Sequence, residues 1–143
     1  MRGLIGEKFR WSNGVQLTRE YVFVAHHIFD HCLDQVLEKN PQLEDSYRKQ
    51  VRRIKSNPDT GKRMKYAPQP LAGRLRKVKI GGRKGYSLCY VVFEQFQAVL
   101  GVFITPEDRS KVDYRNFPWE TLVEAAEDFQ KKDLSKLRIV EDK

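Results

Sequence analysis

Hydrophobic and polar positions along the chain change their period several times, and each change predicts an element. Tyr21-Val22-Phe23-Val24-Ala25 is a compact β-branched and aromatic run, the pattern of a strand. From His26 to Asn40 the period lengthens. Phe29, Cys32, Leu33, Val36 and Leu37 fall on one face of a helix, with Asp30, Asp34, Glu38 and Lys39 off it. Asn40-Pro41 ends that helix, because the residue before proline avoids the helical region. Pro41 opens a second helix reaching about Ser56, with Leu43, Tyr47, Val51 and Ile54 as its stripe. The two form an αα-hairpin, closed by Asn57-Pro58-Asp59-Thr60-Gly61.

Residues 62–73, with Pro68 and Pro70, read as a loop. Three strand signals follow closely: Leu75 to Ile80, Tyr86 to Phe93 after a glycine-rich connector, and Ala98 to Thr105 after the turn at Glu94-Gln95. Such short connections predict an antiparallel meander. Pro118 opens a last helix, over about 118–132. Its apolar face holds Trp119, Leu122, Val123, Ala126 and Phe129, with Glu120 near its start and Lys131-Lys132 near its end. The order β, α, α, β, β, β, α predicts an α+β fold. The helices are expected on one face of the sheet, with part of the other face open. Ser12-Asn13-Gly14 predicts a hairpin in an N-terminal extension, residues 1–19, ahead of one domain over residues 20–143.

Composition narrows the functional classes. The chain has 143 residues, enough for one domain with a real core. No apolar run approaches the ~20 residues that span a bilayer, so no membrane association is expected. The first ten residues lack the apolar stretch of a secretory signal. Only Cys32 and Cys89 occur, which excludes a disulfide framework or a four-cysteine zinc site and predicts a cytoplasmic protein.

Charge adds more, because it is uneven. Between Arg48 and Lys84 there are fourteen Lys or Arg and a single acid, Asp59, a balance of +13 within a chain of net +8. A single-sign segment of this size predicts a polyanionic partner, nucleic acid first. His26, His27 and His31 cluster, but with no distant ligand set they predict a helix start, not a metal site. Gly81-Gly82-Arg83-Lys84-Gly85 lacks the spacing of a phosphate-binding P-loop. No nucleophile signature is present, and neither cofactor nor metal is expected.

Two stretches carry a family resemblance. Leu75-Arg76-Lys77-Val78-Lys79-Ile80 is followed by a glycine-rich loop and Gly85-Tyr86-Ser87-Leu88-Cys89-Tyr90. Asp108-Arg109-Ser110-Lys111-Val112-Asp113-Tyr114 follows the last strand. Over roughly residues 20–115 the chain resembles the RelE/ParE superfamily of toxins from bacterial toxin–antitoxin pairs. The resemblance implies a RelE-like fold, with the αα-hairpin packed on a small, mostly antiparallel sheet, plus a C-terminal helix. It implies a ribosome-dependent mRNA endonuclease, attacking through the RNA 2′-OH and held by an acidic antitoxin protein. By position, Lys77 and Lys79 match the paired strand lysines, Arg109 the loop arginine and Tyr114 the terminal tyrosine. These four are the candidate catalytic residues. Arg74, Arg76, Arg83, Lys84 and Lys111 are candidates for RNA binding.

This chemistry needs a group to take the 2′ proton, one to protonate the 5′ oxygen, and cations to neutralise the transition state. Lys77 and Lys79 alternate on one strand face and so project together, although Leu75 shares that face. Each candidate also has a plainer use: the lysines to hold phosphate, Arg109 to pair with Asp108 or Glu107, and Tyr114 to pack. One departure from the family stands out. Active members often carry Arg directly after Gly-Tyr, where this chain has Ser87, so Arg83 or Lys84 would have to supply that cation. Ser87 favours the alternative, a RelE-fold protein that binds nucleic acid or a partner without cutting, or a ParE-like gyrase inhibitor.

Overall fold

A computed structural model describes residues 20–82 and 85–140. The expected hairpin at Ser12-Asn13-Gly14 lies outside the described residues. Strand β1 (Val22–His26) leads directly into α1 (His27–Lys39). His26 caps that helix: its backbone is extended and its Nδ1 accepts from the Ile28 N–H at 3.1 Å. A short turn, Pro41–Leu43, precedes α2 (Glu44–Ser56). Glu44 and Asp45 in the first turn of α2, with Arg53 and Lys55 in its last, complement the helix dipole. Then come β2 (Lys62–Arg63), β3 (Leu75–Ile80), β4 (Tyr86–Phe93), β5 (Ala98–Ile104), α3 (Trp119–Gln130) and β6 (Leu137–Ile139).

These strands form one sheet in the order β2-β3-β4-β5-β1-β6. The meander β3-β4-β5 is antiparallel as expected, with Lys77 opposite Cys89 and Lys79 opposite Ser87. Strand β1 lies beside β5 and runs parallel to it, Val24 facing Leu100. β6 adds antiparallel to β1, and the two residues of β2 pair with β3. Over the described residues the fold is therefore α+β, with a six-stranded, mostly antiparallel sheet and three helices.

Helices pack on both faces of the sheet, which corrects the expectation that they share one face, while the α3 face stays open at Lys79 and at the pocket beside Lys77. On one face α1 and α2 pack Phe29, Leu33, Tyr47, Val51 and Ile54 against Phe23, Val78, Leu88 and Tyr90. On the other, α3 brings Leu122, Ala125, Ala126 and Phe129 onto Val24, Leu75, Cys89, Val91, Phe93 and Leu100. The physical reason lies in β4 and β5, which are apolar at consecutive positions. A half-solvated strand alternates, whereas one covered on both sides does not. Gly101 lets α1 approach closely, since a Cβ there would stand 2.8 Å from the Phe29 ring. A buried polar contact ties the layers together. His26 Nε2–H donates to the Asp128 carboxylate of α3 at 2.8 Å, and Lys136 approaches the same carboxylate.

Candidate nucleic-acid interface

Alternation along β3 divides its basic residues between the two faces. Leu75, Lys77 and Lys79 share the α3 face, while Arg76, Val78 and Ile80 turn toward the αα-hairpin. Lys77 and Lys79 therefore do project together. Arg76 is engaged elsewhere: its guanidinium donates to the Gly61 carbonyl at 2.7 Å and pairs with Asp59 at 3.2 Å.

Arg76 belongs to a clamp on the segment after α2. The fully buried Tyr90 phenol donates to the Pro58 carbonyl at 2.6 Å and accepts from the Gly61 N–H at 2.9 Å. Residue 61 must be glycine, because a Cβ would lie 2.4 Å from that phenol oxygen. Burial pushes the Tyr90 phenol up to about 12, so it stays a donor through the neutral range. The clamp delivers β2 onto the outer edge of β3, with Lys62 opposite Lys77 and Arg63 opposite Arg76. Opposed residues on paired strands share a face, and like charges there repel. An anion bound between Lys62 and Lys77 would relieve that repulsion.

A pocket of about 560 Å³ opens at this edge, lined by Lys62, Arg63, Met64, Lys65, Tyr66, Lys77, Arg115 and Trp119. Five of the eight are cations and none is an acid. Its floor is anchored by buried Met64, whose N–H donates to the Leu75 carbonyl at 2.9 Å, and by buried Leu71 farther along the same loop. Arg115 is exposed and pairs with Asp113 at 3.2 Å.

The remaining candidates are placed as follows. Lys79 is exposed, opposite Ser87. Arg109 opens a short turn after β5 and ties it to the β3–β4 connection: its N–H donates to the Gly85 carbonyl at 2.8 Å and its guanidinium to the Gly82 carbonyl. Arg74 stands exposed at the start of β3, donating to the Pro70 carbonyl at 3.4 Å. Lys111 is exposed in a shallow depression with Glu107 and Asp113. Tyr114 begins the turn Tyr114–Asn116, next to Arg115 of the pocket. Arg83 and Lys84 lie outside the described residues. Ser87 is buried, its N–H donating to Thr105 Oγ1 at 3.1 Å. An arginine at that position would need its neighbours to move.

The structure thus brings Lys77 together with Lys62, Arg63, Lys65 and Arg115, none of which the sequence pattern had singled out. Lys62, Arg63 and Lys65 counted in the basic segment, but a two-residue strand carries no periodicity. Trp119 read as the apolar face of a helix, and it does pack on Phe117, with ring centroids 5.0 Å apart.

His27 and His31 are exposed on α1, and among the described residues no group of three His, Cys, Asp or Glu side chains is placed to hold a metal ion. No helix among the described residues is long and apolar enough to cross a membrane. No family model matches the chain, and no curated protein sequence matches it significantly.

Proposed function

We propose that this chain is a RelE-type RNA-binding toxin that engages mRNA on the ribosome through the cationic pocket at the β2–β3 edge and cuts it. The observation that supports the reading best is the pocket itself. Among the described residues five cations and no acid line it, two of them opposed lysines on paired strands and one, Arg115, paired with the neighbouring Asp113. That arrangement suits a phosphate backbone, whose contacts come mostly from Lys and Arg and which releases counterions on binding. Cleavage rests on the resemblance together with the shared face of Lys77 and Lys79. In that step the 2′-oxygen bonds to phosphorus, the bond to the 5′ oxygen breaks, and the 2′ proton leaves while the 5′ oxygen gains one. Cations beside the phosphoryl oxygens lower this barrier by opposing the charge that builds there. An acidic antitoxin protein is part of the same reading.

A second reading, binding without cutting, is favoured by two features. Ser87 is buried where an arginine would serve the cleft, and the Arg109 guanidinium is engaged by the Gly82 carbonyl.

Translating ribosomes carrying one mRNA, followed by primer extension, separate the two. Codon-spaced cuts that fall by about 10²–10³ in Lys77→Ala support the nuclease, the loss typical of removing one transition-state contact. RNA binding that weakens with salt, without cuts, supports the binding module. In either case Lys77→Ala should reduce the salt slope by about one counterion. Binding flat in salt, or DNA breaks with intact mRNA, refutes the RNA reading.

A further inference from the structure

Two aromatic residues border the cationic pocket: Tyr66, which lies outside the core, and Trp119, which stands at its rim. Tyr66 is 93% exposed, the one large apolar side chain so exposed among the described residues. Its backbone is left-handed, with φ of 64°, a conformation that favours glycine or asparagine and is strained for a tyrosine. The loop that presents it is anchored on both sides, by β2 and buried Met64 before it and by buried Leu71 after it. A strained, solvent-facing aromatic on an anchored loop adds nothing to the core. Trp119 stands on the same pocket as the first residue of α3. Its indole is partly exposed and backed by Phe117, which packs in turn on Phe103 with ring centroids 5.4 Å apart. One aromatic is thus held outward and the other is braced from behind.

We propose that Tyr66 and Trp119 form a nucleobase-stacking site, so that the pocket takes single-stranded RNA with one unpaired base against an aromatic face and its phosphates on Lys62, Lys65, Lys77 and Arg115. This rests on the RNA-binding reading above and deepens it. The volume fits, since pockets for small-molecule-sized groups span on the order of 300–1,000 Å³. The chemistry selects single strands, because in a duplex each base face is already covered by its neighbours. Phosphate contacts alone do not make that distinction.

The test uses the full chain with Trp11→Phe, leaving Trp119 as its one tryptophan. Its probes are a short oligoadenylate, an RNA duplex of the same length, and inorganic polyphosphate of matched charge. Oligoadenylate should quench Trp119 emission and bind more tightly than the other two, while polyphosphate binds without quenching. Tyr66→Ala should weaken oligoadenylate by about 5- to 100-fold, the equivalent of one stacked base, and bring its affinity toward that of polyphosphate. Tyr66→Phe should retain most of the preference. Because Tyr66 is exposed, its loss leaves the core intact, and circular dichroism checks this. Equal affinity for all three probes, or no effect of Tyr66→Ala, overturns the stacking site while leaving a phosphate-binding surface. Absence of binding to every probe overturns the RNA reading as well.

Discussion

Replacing Tyr90 with phenylalanine removes one oxygen atom and tests how the pocket is held. That phenol is fully buried and makes two hydrogen bonds, donating to Pro58 and accepting from Gly61. The variant keeps the ring, so no cavity opens. It leaves a carbonyl and an N–H without their partner where β2 is docked, and each unpaired buried group costs about 1–3 kcal/mol. The expected loss is therefore about 2–6 kcal/mol, a large share of the roughly 5–15 kcal/mol that holds a typical domain together. Urea unfolding should show a lower midpoint with an unchanged slope, and the melting temperature should fall by roughly 5–15 °C. RNA affinity should fall as well, because Lys62 and Arg63 are carried by the clamped segment. Alkaline pH supplies a second readout. The folded-state pKa lies near 12, above the ordinary 10, so the contribution is present below about pH 10 and is lost as pH rises toward 12. The variant lacks that share of the alkaline loss and keeps those of Tyr47 and Cys89, which burial also pushes up to about 12. A loss below about 0.5 kcal/mol with unchanged RNA binding would refute the clamp, since that is the range of a neutral surface change.

Leu122→Ala should cost about 2–5 kcal/mol in urea unfolding, because Leu122 is fully buried between α3 and the sheet; a negligible loss would mean that α3 is not part of the core. Acid should weaken the fold partly through His26, whose pKa burial lowers below its usual 6.5 against the opposing hydrogen bond to Asp128; His27 and Lys136 also lower it. A depressed folded-state pKa means stability is complete above about pH 6.5 and is lost as pH falls through the lower value. His26→Gln, which takes no proton, should flatten that part of a plot of unfolding midpoint against pH, and an unchanged plot would count against it.

Much of the architecture was legible in the chain because it rests on local rules. The helical spacing from Phe29 to Leu37 and the stop at Asn40-Pro41 lead to α1 almost to the residue, and short connections lead to the β3-β4-β5 meander. The joint projection of Lys77 and Lys79 follows from strand alternation alone. Other features depend on contacts distant in sequence. Nothing local places β1 parallel to β5, or makes edge strands of Lys62–Arg63 and Leu137–Ile139, which are too short to show a period. The continuous apolar runs of β4 and β5 carried the sign of two covered faces, but only packing decided that α3 supplies the second cover. The pocket is of the same kind. Its cations come from β2, the loop after it, β3 and the turn before α3, and those of β2 and its loop reach it because Tyr90 and Arg76 clamp residues 58–61 against the sheet. Residue type and spacing determined which surfaces would be basic or apolar, since those properties belong to each side chain. Which of them share one site was decided by hydrogen bonds and burial across the sheet, which no local pattern encodes.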